Sequence, residues 1–99
     1  MKNLDLTQNA SDTARDIEHQ VRMEVLDEVA IMLSDNARDI EKLLYSKEGI
    51  NIQCQARWQR SDKINRLRCR LITKSYTYWD IAGKLFSMRI DLHKNYLQS

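Results

Sequence analysis

The stretch INIQCQARWQRSDKINRLRCRLITKSYTYW, residues 50–79, decides the fold that this sequence predicts. Apolar and polar residues alternate strictly over 50–59, and the alternation resumes over 66–71 after a polar segment at 60–63. Period-two alternation is typical of a β-strand with one buried face and one solvated face. The stretch therefore predicts two antiparallel strands joined by a short turn, with an apolar face and a basic face.

The outward face of this predicted hairpin, together with its turn, carries the candidate binding residues. Guanidinium groups suit phosphates, aromatic rings stack on unpaired bases, and a two-stranded ribbon fits a DNA groove. The candidate site consists of Arg57, Arg60, Lys63, Arg66, Arg68, Arg70, Lys74, Tyr76 and Tyr78. A solvated strand face, on which arginine prevents edge-to-edge aggregation, explains the same pattern without any binding role.

Helical periodicity flanks the hairpin on both sides. Apolar residues recur at helical spacing over 11–33, 35–46 and 78–97, and predict three amphipathic helices. Gly49 suits the left-handed position that ends the second helix, and Thr77 with Asp80 matches a capping box at the start of the third.

The predicted architecture is α+β. Its elements follow in the order helix, helix, β-hairpin, helix, with an antiparallel two-stranded sheet and the helices packed on one face. Residues 1–10 are polar and predict a flexible leader, and residues 11–99 predict a single domain, as their number suggests.

A short internal repeat bears on whether the first two helices are separate. Residues 11–18 (SDTARDIE) and 34–41 (SDNARDIE) are identical at seven of eight positions. Ser and Asp are good helix caps, so a break at 34–36 makes both copies equivalent helix starts. We expect this break, because one unbroken helix of 36 residues would span about 54 Å and would imply an extended dimer.

The predicted element order resembles that of the HU-type DNA-bending proteins. Those proteins carry a Gly-Phe-Gly-x-Phe turn between helix and sheet and a proline at the tip of each arm, whereas this chain has Gly49-Ile50-Asn51-Ile52 at the first place and no proline. The resemblance is limited to element order and carries no residues over.

Charge is distributed unevenly along the chain. The net charge is +2, yet residues 1–50 hold six Lys/Arg against eleven Asp/Glu, and residues 51–99 hold ten against three. Such asymmetry indicates an anionic partner. It also suits a homodimer that pairs the acidic half of one subunit with the basic half of the other.

No catalytic motif, cofactor-binding loop or metal-ligand spacing is present, so we expect a non-enzymatic protein without cofactor or metal. Two cysteines, the absence of a signal peptide and the absence of a membrane-spanning run place it in the cytoplasm. The predicted function is regulatory binding of nucleic acid through the arginine-rich hairpin face. The alternative is an inhibitor or adaptor that binds a larger enzyme or complex.

Overall fold

The computed structural model describes the backbone of residues 6–98 and the side chains of residues 12–98. Over this part the chain forms three helices: α1 (Leu6–Tyr45), α2 (Lys47–Trp58) and α3 (Asp62–Gln98). The helices α1 and α3 pack along each other, and the short α2 packs against both. Contacts such as Glu41 with Trp79 and Asp27 with Arg89 show that α1 and α3 run antiparallel.

The predicted β-hairpin is wrong, because residues 50–58 lie in α2 and residues 62–79 lie in α3. The described residues contain no strand, so the α+β class, the two-stranded sheet and the element order shared with HU-type proteins are wrong as well. The residues that alternate are mostly Gln, Arg, Leu and Ala, which favour helix. Ile50 and Ile52 are exposed, so the alternation does not mark a buried face.

The predicted break at 34–36 is also wrong, because α1 continues through it. Ser34 does not cap a helix. Its hydroxyl donates to the Ala30 carbonyl oxygen at 2.9 Å, one turn earlier in the same helix. Thr77 likewise donates to the Thr73 carbonyl oxygen at 2.8 Å inside α3. Ser and Thr can make this bond inside a helix as well as cap one, so a cap-like sequence does not fix a helix start.

The joint between α1 and α2 lies a few residues before its predicted position. Ser46 caps α2, and its hydroxyl oxygen accepts the Gly49 amide proton at an N–O distance of 3.0 Å. Gly49 therefore lies in the first turn of α2 rather than after a helix. A Cβ atom there would collide with the Leu43 carbonyl oxygen, so the close approach of α1 and α2 requires glycine.

The contact between α1 and α3 is a narrow seam of small residues. On α1 the buried residues Met23, Ala30, Ala37 and Leu44 recur every seven positions. On α3 the buried residues are Ser75 and Ala82, also seven apart. A seven-residue repeat is the signature of a coiled coil, and small side chains let the two backbones approach closely. The seam thus buries few large side chains.

The molecule is long and thin, measuring 77 × 19 × 16 Å. Its radius of gyration is 22.3 Å, against about 13 Å for a compact domain of this length. We call the end that holds α2 the tip, and the end that holds the start of α1 and the end of α3 the open end. The backbone of residues 6–10 is helical, residues 1–5 lie outside the described part, and the flexible leader stays a prediction.

Among the described residues, no helix combines the length and the apolar character that a membrane span requires.

Candidate nucleic-acid interface

The tip of the molecule holds half of the sixteen Lys and Arg residues. Within residues 47–74 there are eight Lys and Arg side chains, against only Glu48 and Asp62. All eight are exposed. We call this set the basic tip: Lys47, Arg57, Arg60, Lys63, Arg66, Arg68, Arg70 and Lys74. It contains every basic residue that the sequence predicted for the site.

These charges have no carboxylate partner among the described residues. The four ion pairs there join Glu18 to Arg22, Asp35 to Arg38, Asp80 to Lys84, and Asp27 to Arg89. None of them involves a residue of the basic tip. A positive potential at this end is therefore left uncompensated, and such a potential attracts polyanions.

Four members of the basic tip line one side of α3. Lys63, Arg66, Arg70 and Lys74 are separated by three, four and four positions, which on a helix places them one above the other. The row is about 16 Å long, from a rise of 1.5 Å per residue. We call it the basic stripe.

Arg68 points elsewhere, which corrects the predicted single face of Arg66, Arg68 and Arg70. Two positions on a helix are a rotation of about 200°, so Arg68 lies on the opposite side from its neighbours. Its Nε donates to Gln53 Oε1 at 2.5 Å. Gln53 in turn donates to the Leu44 carbonyl oxygen at 2.8 Å, and so links all three helices at the tip.

Tyr76 and Tyr78, the two tyrosines of the predicted site, also lie on opposite sides of α3, because they are two positions apart on a helix. Tyr78 is half-buried, and its ring centroid lies 5.7 Å from Lys74 Nζ, so it adjoins the end of the basic stripe. Tyr76 is exposed but lies about 200° from Lys74 around α3, away from the stripe. The structure therefore brings Tyr78, but not Tyr76, to the predicted basic surface.

The predicted site did not include the most exposed aromatic residue of the tip. Trp58, in the last turn of α2, is 89% exposed, and Tyr45, at the end of α1, is 71% exposed. The period-two pattern placed Trp58 in the core. The one sequence feature that could have indicated the exposure of Trp58 is its position directly before the turn at 59–61. Side chains at a helix end lack neighbours on one side.

Arg60 adopts an unusual backbone conformation in the turn between α2 and α3. Its φ is +54°, a left-handed conformation in which glycine is the usual residue. The Ser61 amide donates to the Ala56 carbonyl oxygen at 2.8 Å, and the Arg60 amide to that of Arg57 at 3.3 Å. These bonds form a Schellman motif, and the charged residue occupies its left-handed position.

The two histidines, which the sequence places far apart, meet at the open end. His19 Nε2 lies 3.1 Å from His93 Nδ1, and the His19 ring stacks on Tyr96. His19 is buried, so this contact closes the end of the seam between α1 and α3. No group of three or more potential metal ligands occurs among the described residues, and Cys54 and Cys69 are free and exposed.

Comparison of the chain with protein-family models, with curated proteins and with solved structures gave no significant match.

Proposed function

We propose that this chain is a non-enzymatic binding protein that contacts nucleic acid through the basic tip. The observation that carries the proposal is the gathering of eight exposed Lys and Arg side chains at one end, none paired with a described carboxylate. Phosphate contacts by such side chains dominate the affinity of proteins for nucleic acid.

The basic stripe indicates how the protein would contact DNA. An α-helix fits the DNA major groove, which is about 12 Å wide, and long basic side chains along one of its sides reach phosphates at the groove edges. The stripe runs along the first three turns of α3, where α2 leaves that side of the helix open to solvent. This helical surface replaces the hairpin ribbon that the sequence predicted.

The backbone of Arg60 supports a role for its charge. A non-glycine residue at positive φ costs free energy, on the order of 1 kcal/mol, and such residues concentrate at functional sites. Glycine or asparagine would form the same turn without this cost. Arg60 instead adds a charged side chain to the turn between α2 and α3, within the basic tip.

Exposed aromatic rings at the same end extend the proposed surface. Trp58 and Tyr45 present their rings to solvent within the region that holds the arginines. A base stacked on such a ring contributes about 1–3 kcal/mol of binding free energy in single-stranded complexes. The tip therefore combines cations for phosphates with rings for bases.

Binding to labelled DNA and RNA as a function of salt tests this proposal. We expect affinity to fall steeply as salt rises from 50 to 200 mM, because bound cations release counterions from the phosphates. Replacing Lys63, Arg66 and Arg70 by Ala should reduce the slope of log K against log[salt] by about 0.7–0.9 for each lost phosphate contact.

The matched control replaces Arg15, Lys84 and Lys94, three cations outside the tip, and should bind like the parent. Absence of binding by the parent at 50 mM salt, or equal loss in both triple variants, would contradict the proposal. Arg68 is left unchanged in both, since it holds Gln53 in place.

A second candidate function is an inhibitor or adaptor that binds a larger protein. It is favoured by apolar side chains that are exposed along α1, among them Ile17, Met32 and Leu43. An apolar interface should survive at 500 mM salt, where phosphate contacts weaken, so salt separates the two functions. We place either function in the cytoplasm, because two free, exposed cysteines suit a reducing compartment.

A further inference from the structure

The helix α3 carries two heptad rows of residues, one position apart. The inner row faces α1 and consists of Ser75, Tyr78, Ala82, Leu85, Arg89, Leu92 and Tyr96. The second row, which we call the outer row, consists of Tyr76, Trp79, Gly83, Phe86, Ile90, His93 and Leu97. In both rows the intervals alternate between three and four residues, the spacing of a coiled-coil seam. A helix with two such seams is built to pack against two neighbours.

The outer row is largely open to solvent within the part of the chain that the structure describes. Leu97 and Tyr76 are 69% exposed, Ile90 is 60% exposed and Phe86 is 40% exposed. A Cβ atom placed on Gly83 would meet no atom within 4 Å. Trp79 and His93 reach α1 through hydrogen bonds with Glu41 and His19.

The helix α1 adds apolar side chains to the same side of the molecule. The Arg38 guanidinium lies 5.6 Å from the Trp79 ring centroid, which fixes the side of α1 that borders the outer row. Residues seven positions apart lie on the same side of a helix. Ile31, seven positions before Arg38, and Phe86, seven positions after Trp79, therefore border each other on this side of the molecule. Ile31 is 53% exposed, so a two-helix apolar surface faces solvent.

We infer that this surface binds a second copy of the chain, with the two α3 helices antiparallel about a two-fold axis. A two-fold interface brings the same patch of both copies together. Charge selects the antiparallel arrangement, because a parallel one would place the two basic tips side by side. Antiparallel packing instead brings each basic tip near the open end of its partner. There, residues 12–28 hold six acidic and two basic side chains.

The outer row is complementary to itself in this arrangement. Its midpoint lies between Phe86 and Ser87, so an axis there places Gly83 opposite Ile90 of the second copy. The missing side chain of Gly83 leaves room for the large one of Ile90. Tyr76 faces Leu97 in the same register, and the two Phe86 rings meet near the axis. Tyr76 and Leu97 at the two ends of the outer row, and Phe86 in its middle, thus each face an apolar or aromatic side chain of the second copy.

The inferred dimer leaves the basic stripe accessible. Lys74 and Tyr76 are two positions apart, so the stripe and the outer row lie about 200° apart around α3. The two basic tips would lie at opposite ends of an elongated particle. The inference rests on the apolar surface and on the charge distribution along the molecule, and it is independent of the proposed function.

Sedimentation equilibrium of the full chain tests the inference. We expect a mass of twice 11.7 kDa for the parent protein at micromolar concentration. Ile90→Glu should raise the dissociation constant at least about tenfold, because it places a charge at the centre of the apolar surface. The matched control is Val25→Glu, an equally apolar, half-exposed site that lies on the side of α1 away from the seam, and it should remain dimeric. Circular dichroism checks that both variants keep their helix content.

Disulfide trapping tests the orientation. In a Cys54→Ser, Cys69→Ser background, mixing the Tyr76→Cys and Leu97→Cys variants should give a cross-linked heterodimer under mild oxidation. A parallel dimer would instead cross-link the Tyr76→Cys variant to itself.

Three results would overturn the inference. These are a monomeric parent at 100 μM, a dimer that Val25→Glu breaks and Ile90→Glu does not, or self-cross-linking in place of the mixed product. In the first case the surface would serve a different partner.

Discussion

At the scale of single residues, the turn at Arg60 shows how a local conformation bears on function. Sequence patterns located a turn near residues 60–63, and the structure has one at 59–61. They did not reveal that Arg60 takes the left-handed position, because arginine is an unfavoured residue there. A glycine would have signalled the helix end directly. Because arginine stands there instead, nothing in the sequence indicated a helix end, and a turn between two strands was predicted.

Replacing Arg60 by Gly should raise the free energy of unfolding by up to about 1 kcal/mol, because glycine adopts positive φ without steric cost. The same variant should bind nucleic acid more weakly, since one cation of the basic tip is lost. Thermal melting and the salt-dependent binding measurement check the two effects.

The matched control for this variant is Arg57→Gly, which removes the same charge from the last turn of α2. It should lower stability by up to about 1 kcal/mol, because glycine is unfavourable in a helix. A destabilised Arg60→Gly variant would show that the Arg60 side chain contributes more to the fold than its backbone strain costs.

At the scale of elements, the sequence predicted helices well where apolar residues recur at helical spacing. Residues 11–33, 35–46 and 78–97 were predicted helical, and all of them except the cap residue Ser46 are helical in the structure. The prediction failed over residues 50–71, where apolar residues alternate with polar ones. On a helix this alternation distributes apolar residues around all sides. Ile52, Trp58 and Leu67 are accordingly exposed, and the pattern carried no information about a buried face.

The residues that form the narrow seam between α1 and α3 could not be predicted from the hydrophobic pattern. Val21 and Val25 are apolar but exposed, whereas the seam uses Ala30 and Ala37, which are fully buried. Alanine gives little hydrophobic signal, and its role follows only from the close approach of the partner helix. The polar contacts of Glu41 with Ser75 and Trp79 are equally invisible in a single sequence.

Ala30→Leu should lower the free energy of unfolding by about 1–3 kcal/mol, because the larger side chain has no room between the two backbones. Ala14→Leu provides the control, since Ala14 is exposed on the same helix and its replacement should change stability by less than about 0.5 kcal/mol. Chemical denaturation of both variants measures the difference. Equal stabilities would mean that the helices are not closely packed at this point.

At the scale of the whole molecule, folding converts a charge asymmetry along the sequence into one along the long axis. The acidic residues of 12–28 lie at the open end, and the basic residues of 47–74 lie at the tip. The basic residues that the sequence proposed for the site therefore lie together at the tip, and their binding role stays a prediction. The sequence could not predict their arrangement, because period two places Arg66, Arg68 and Arg70 on one face and a helix does not.

The most direct measurement of the central claim is an NMR titration of the isotope-labelled protein with a short DNA duplex at low salt. We predict helical chemical shifts for residues 47–58 and 62–74, with the turn at 59–61 between them. We also predict that the largest changes on binding fall at Arg60 and along Lys63, Arg66, Arg70 and Lys74, with little change at residues 12–28. Absence of any change, or changes centred on the open end, would contradict our account.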